Sequence, residues 1–343
     1  MRKIVATHIA GGFAAVMLLG TFGGAAPDAV AATSASINVE PVKQISGRAR
    51  SWISAGVEQM GGDTSYRIGF PVFLPDGTRF DGHFPFSELE FPLDSTMLSI
   101  RFGAEFNDKV IISGALKKAL TDPDDNFIDR DWITAGNPGR LDVYSESRVE
   151  DYSATIIDID AAYKFLRRQD FWLAAGGGYL HQDFSFDNQL IRQYSPSGLP
   201  GFDYNGDGEV GLTYDINYKI PYLMLKAGSG GNGPWSFSGK LAYAPVIDVD
   251  DTDHHIYRNK MNKGDLEGEA LMLSVGTRYD FSPRFFAAAG LDYTYITADG
   301  DSSAFFYGSY DHHLAEEVES SQFSAYISLG FKFWSSPEQP KQL

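Results

Sequence analysis

The sequence predicts an all-β protein, a ten-stranded antiparallel transmembrane β-barrel with long extracellular loops, on three observations. Aromatic residues make up 14% of the chain, with 18 Tyr and 25 Phe, and segments between turns alternate apolar and polar residues with period two rather than 3.6. There is no cysteine, so neither a disulfide framework nor a thiol nucleophile is available. Beyond residue 31 no apolar run approaches the roughly 18 residues that a membrane helix needs, so any crossing must be made by strands.

Taken in order, residues 1–31 read as a signal peptide: Arg2 and Lys3, an apolar stretch from Ile9 to Phe22, then the small-residue pattern Ala29-Val30-Ala31. The barrel is expected over 32–334, and 335–343 as a tail past its last aromatic residue. Ten strand-like runs fall at about 45–59, 86–106, 109–120, 152–166, 170–186, 212–227, 235–250, 269–281, 285–298 and 321–334. The last is the clearest: Phe323, Ala325, Ile327, Leu329, Phe331 and Phe333 point one way, and Ser324, Tyr326, Ser328, Gly330 and Lys332 the other. One face suits lipid and the other a polar lumen, as in outer-membrane strands. Short turns at Asn107-Asp108, 167–169, 228–234 and 282–284 alternate with long polar connections at 60–85, 121–151, 187–211, 251–268 and 299–320. The short set belongs on the periplasmic side and the long set outside. A soluble β-sandwich is the alternative, but sandwiches seldom segregate loop lengths so regularly. Lumen-facing charges, among them Arg101, Glu105, Asp158, Asp160 and Lys164, are expected to pair across a narrow, filled interior.

Two acidic motifs stand out, Asp129-Arg130-Asp131-Trp132 and Asp251-Thr252-Asp253-His254-His255. The first lies between the third and fourth runs and the second between the seventh and eighth, nearly opposite in a ring of ten. Residues two apart in extended chain point the same way, so each motif directs two side chains at the barrel mouth. That set suits hydrolysis by an activated water. His255 takes the proton, Asp253 orients the imidazole, and Asp129 and Asp131 hold the water, one of them protonated because close carboxylates resist ionising together. No metal is called for. The net charge of −17 disfavours nucleic acid as a partner and attracts basic peptides. Asp203-Tyr204-Asn205-Gly206-Asp207-Gly208 opens like a calcium loop but has Tyr214 at the twelfth position, and reads as a turn. Trp132 reads as a packing or interface residue rather than a substrate platform.

Together with Asn137-Pro138-Gly139, Glu146-Ser147-Arg148, Ser87-Glu88-Leu89-Glu90-Phe91 and Tyr218-Lys219-Ile220-Pro221-Tyr222, these motifs resemble the omptins, outer-membrane aspartate proteases of Gram-negative bacteria. The resemblance spans most of the chain after residue 31. It implies that Asp129 and Asp131 form the family's Asp pair, that Asp253 and His255 form its dyad, and that Asp251 helps select basic side chains. It also implies cleavage of peptides next to basic residues, contact with outer-membrane lipid, and lipopolysaccharide as an activator rather than a bound cofactor. Where omptins carry a second acidic selectivity residue on the first strand, this sequence offers Ser51. A further acidic position falls on Asp142 or Ser145, and the family's basic lipid-binding positions are replaced around Tyr179 to Asp183 and at Asn217. A barrel of this family without protease activity, acting as a porin or surface-binding protein, is the rival reading.

Overall fold

A computed structural model describes residues 49–335 except 135 and 230–232; the expected signal peptide and most of the tail lie outside the described residues. The strands, in chain order, are β1 (Ala49–Phe73), β2 (Arg79–Phe80), β3 (Ser87–Pro92), β4 (Ser95–Phe106), β5 (Val110–Ala119), β6 (Phe127–Asp131), β7 (Val143–Arg167), β8 (Phe171–Tyr194), β9 (Tyr204–Asn205), β10 (Val210–Ser229), β11 (Trp235–His255), β12 (Lys260–Asp280), β13 (Phe285–Phe306) and β14 (Ser309–Ser335). Antiparallel pairing runs β7-β5-β4-β1-β14-β13-β12-β11-β10-β8, and β8 returns to β7, so ten strands close a ring. Closure leaves no long free edge, the condition for crossing a bilayer as strands. Above β4 and β5 the wall continues as β3 and β6, which pair with each other and with β1 and β7 respectively.

The outward faces divide each strand in two. On β11, Trp235, Phe237, Leu241, Tyr243 and Val246 are exposed apolar residues, and outward positions then change to Asp248 and Asp250. The same change occurs on β12, where exposed Leu273 and Leu271 give way to Glu269, Glu267 and Asp265, and on β14, where Phe323 gives way to Glu319 and Glu317. An apolar band next to the short turns thus meets lipid, and the longer remainder of each strand projects into water. Asn107 and Asp108, with Lys109, close the first of those turns; their φ of 52° and 55° are left-handed, as tight hairpin turns demand.

Most of the predicted long loops are corrected to strand. Residues 251–268 form a hairpin whose connection is only the 3₁₀ turn Ile256–Arg258 and Asn259, and 299–320 turns at Tyr307 and Gly308. Apolar alternation marks only the part of a strand that faces lipid; above the band both faces become polar, yet the backbone ladder continues.

Inside the band the lumen charges pair. Glu58 receives Lys117 (2.5 Å) and Arg101 (2.8 Å), both of which also reach Asp292, while Lys226 meets Asp160 (2.5 Å), Lys240 meets Asp158 (2.9 Å) and Lys164 meets Glu105 (2.8 Å). They line a cavity of about 540 Å³. Above it the walls meet through aromatic side chains. Phe91 stacks on Tyr214 (4.1 Å between ring centres) and on Phe127 (4.6 Å), Tyr66 abuts Tyr214 (5.5 Å), and Gln182 bonds Gln322 across the interior (2.7 Å). Tyr66, Phe91, Phe186 and Tyr214 have no exposed surface, so this layer is a packed floor.

Candidate active site

Two walls carry the site above that floor. On β6, Phe127, Asp129 and Asp131 alternate inward, with Asp129 in register with Leu89 and Ser145 and Asp131 with Ser87 and Val143. Arg130 points outward to Glu88 (3.0 Å) and Glu90 (2.9 Å), which pins the strand without entering the cleft. The facing wall is the β11–β12 hairpin. Its inward pairs are Asp251 with Gly264, Asp253 with Asn262 and His255 with Lys260. The short connection fixes this register, and a slip of one residue would turn every one of these groups outward.

His255 Nε2 lies 3.1 Å from Asp253 Oδ2, which also accepts a hydrogen bond from Asn262 Nδ2 (3.0 Å). Arg258, from the 3₁₀ turn, donates to His255 Nδ1 at 3.1 Å. That donor assigns Nδ1 as the acceptor and Nε2–H as the proton shared with Asp253. Burial acts to raise the pKa of Asp253, but His255, Lys260 and Asn262 outweigh it, and its carboxyl titrates below the usual range. Asp129 and Asp131 go the other way. Burial raises both, Asp129 well above the usual range, with Asp131 adding repulsion to Asp129. Asp129 is within electrostatic reach of Asp253, Arg258 and Lys260, and Asp131 within reach of His255, Arg258 and Lys260. The four residues therefore share one cleft, as the two motifs predicted from opposite walls.

Asp251 sits one pair deeper, 5% exposed, accepting from Tyr214 Oη (2.9 Å) and the Gly264 amide (3.0 Å). Glu316 of β14, 1% exposed, reaches over Gly264 to meet it. A Cβ at 264 would overlap Glu316 Oε1 and lie 2.6 Å from Asp251 Oδ1, so only glycine admits this acid pair. Glu316 is enclosed by Asp251, Ser302 and Tyr66, and no cationic side chain is ion-paired with it among the described residues. Burial raises Asp251 to about 6 and Glu316 further above its usual range. The two acids therefore resist ionising together.

Asp142 is placed differently from expectation. Its carboxylate accepts from the Thr134 amide (2.7 Å), Arg140 Nε (2.9 Å) and Ser197 Oγ (2.8 Å), and it has no exposed surface to offer a substrate. Although burial opposes it, those donors lower its pKa to about 2. It is a clamp between two loops, and Ser145, in register with Asp129, is the alternative that faces the cleft. Ser51 pairs with Phe333 at the periplasmic end of β1, remote from the site. The calcium-like segment uses Asp203 and Asp207 to cap its own turns and to hold Tyr257, and no metal-ligating group of three or more acidic or histidine residues occurs among the described residues. Glu316, Asn262, Arg258 and Lys260 were not singled out from the sequence. Extending the alternation of β14 back through Leu314, Glu316 and Val318 would have shown a glutamate at a buried position.

The omptin family model matches residues 81–334. The chain belongs to the omptin family. Among solved structures, the outer membrane protease OmpT from Escherichia coli superposes with a TM-score of 0.68 at 18% identity, over 83% of this chain and 97% of that one. The outer membrane protein OprG from Pseudomonas aeruginosa gives 0.39 at 14% identity, over 84% and 97% respectively. No curated protein matches the chain in sequence. As an omptin the protein is an outer-membrane barrel of a Gram-negative bacterium.

Proposed function

We propose that this omptin hydrolyses peptides next to basic residues, using a water activated by His255 and Asp253 and held by Asp129 and Asp131. The observation that carries this reading is the convergence of the dyad and the Asp pair from opposite walls, above a floor that seals the lumen.

The exposed Arg258 swings away from Nδ1, and a water takes its place. His255 Nδ1 accepts a proton from that water as its oxygen attacks the carbonyl carbon. Asp253, ionised, stabilises the imidazolium, a role that general-base catalysis rewards with about 10²–10⁴ in rate. The proton then passes from the ring to the departing amine as the C–N bond breaks. Asp129 and Asp131, one carrying a proton, accept from and donate to the water. The Asp251–Glu316 pair supports the preference for basic side chains, because an ammonium or guanidinium entering there would meet two buried carboxyl groups that have no cation of the protein beside them.

The porin reading has no such support: the floor is packed and the lumen charges are ion-paired. Refolded protein with lipopolysaccharide is expected to cleave a fluorogenic Arg-Arg peptide, and His255→Ala to lower kcat/KM at least 10²-fold while leaving the barrel folded. Equal inactivity of both proteins, with ion conduction in planar bilayers, would overturn the reading.

A further inference from the structure

Lys260 is the one inward-facing member of the β11–β12 hairpin with no role so far. It begins β12 directly opposite His255, and because Asn262, Gly264 and Leu266 follow on the inward face, its side chain enters the same cleft. Cross-strand neighbours in this position have Cβ atoms about 4.5–5.5 Å apart. The residue is half-buried, and burial lowers its pKa against the pull of Asp253, Asp131 and Asp129. Yet among the described residues its ammonium makes no hydrogen bond and has no carboxylate oxygen within 4.0 Å.

An ammonium withdrawn from water without a contact partner is strongly unfavourable. Every other lysine or arginine in this cleft or in the lumen below has such a partner: Arg258 on His255, Arg101 and Lys117 on Glu58, Lys226 on Asp160. Lys260 instead has acids around it at more than contact distance, and its register opposite His255 leaves its N–H groups free to meet a ligand held at the base. A carbonyl whose carbon is attacked by a water at His255 has its oxygen beside them.

We propose that Lys260 is a catalytic residue, donating a hydrogen bond to the oxygen of the scissile carbonyl and stabilising the oxyanion formed during attack. This rests on the protease reading above. In the step, the water oxygen forms a bond to the carbonyl carbon, its proton goes to His255, and the C=O π pair moves onto oxygen, where the Lys260 ammonium meets the new charge without giving up its proton. When the pair returns, the C–N bond breaks and the amine leaves with the proton from His255. The donor acts most strongly on charge that exists only in the transition state, which is how such groups raise kcat rather than lower KM.

The test compares wild type, Lys260→Met and Lys260→Arg. Methionine keeps the length and removes the charge; kcat is expected to fall about 10²–10³-fold with KM changed less than about threefold, and arginine to restore part of it. The deciding measurement is calorimetric affinity for a phosphinic peptide, whose tetrahedral anion imitates the oxyanion, beside a non-cleavable reduced-bond peptide of the same sequence. Lys260→Met should weaken the phosphinic peptide by the factor lost in kcat/KM and leave the reduced-bond peptide within about threefold. If both ligands weaken equally, or the phosphinic peptide binds unchanged while wild type cleaves, Lys260 is not the oxyanion donor. If wild type neither cleaves nor binds the phosphinic peptide, the protease reading itself falls and this assignment with it. Heat-modifiable electrophoretic mobility of each variant separates these results from failure to fold.

Discussion

The lower lumen and the upper cleft are built from the same residue types and treat them in opposite ways. Below the floor, carboxylates are closed into contacts with lysine and arginine: Glu58 with Lys117 and Arg101, Asp160 with Lys226, Asp158 with Lys240. Above it, Asp129 Oδ1 and Asp253 Oδ1 lack partners, although both are buried. Burying an unsatisfied carboxylate is costly, and a ligand that supplies donors offsets that cost. The lower charges are paired within the barrel; the upper ones leave oxygens unpaired at the cleft.

That contrast predicts that equivalent deletions fail differently. In the cleft His255→Ala removes activity and leaves stability nearly unchanged. In the lumen Glu58→Gln leaves Lys117 and Arg101 facing an uncharged amide, and unfolding should become easier by about 3–5 kcal/mol with activity per folded molecule within about twofold. Urea titration of the refolded barrels, alongside cleavage of one peptide, would expose a site that was merely structural.

Glu316→Gln sharpens the comparison next. Removing one acid of this buried pair should not destabilise the fold, but the preference for arginine over citrulline beside the scissile bond should shrink, by about tenfold if a hydrogen bond of about 1.5 kcal/mol to the basic group is lost. Competing hydrolysis of the two peptides measures it, and an unchanged ratio would assign Glu316 to packing alone.

A smaller effect follows from pH. Asp251 has its pKa raised to about 6, so it gains charge as pH rises through that value. KM for the arginine peptide should therefore fall between pH 5 and pH 7 while KM for the citrulline peptide stays flat. Folding responds in the opposite sense, because a raised carboxyl pKa favours the native state when protonated and loses that contribution as pH climbs from about 4 to 6.

The smallest expected effect concerns Asp142. Its pKa is lowered to about 2, so its contribution is present above the usual carboxyl value near 4 and is lost as pH falls from there towards 2. At pH 7, Asp142→Asn should increase protease nicking of the loop that Asp142 clamps, and the difference from wild type should shrink steadily as pH falls from about 4 towards 2. Mass spectrometry of limited digests reads this directly.

How much of this was legible in the sequence follows from where each signal originates. Ten strands and their short turns were visible because lipid imposes apolar alternation, as in Phe323 to Phe333. The upper halves of β11 to β14 were not, because there water and the lumen both accept polar side chains and the alternation fades. Asp129, Asp131, Asp253 and His255 were found because each motif repeats an acid at i and i+2. Glu316 was missed because its partner Asp251 is 65 positions away and only barrel closure, with glycine at 264, brings the two together. Asp142 was misassigned because composition gives an acidic loop a charge but does not say that Thr134, Arg140 and Ser197 already consume it.

The aromatic floor also decides traffic. Phe91, Phe127, Phe186 and Tyr214 pack across the interior and separate the cleft from the lumen below. The proposed hydrolysis on the outer face thus requires no route for solutes through the membrane that anchors the barrel.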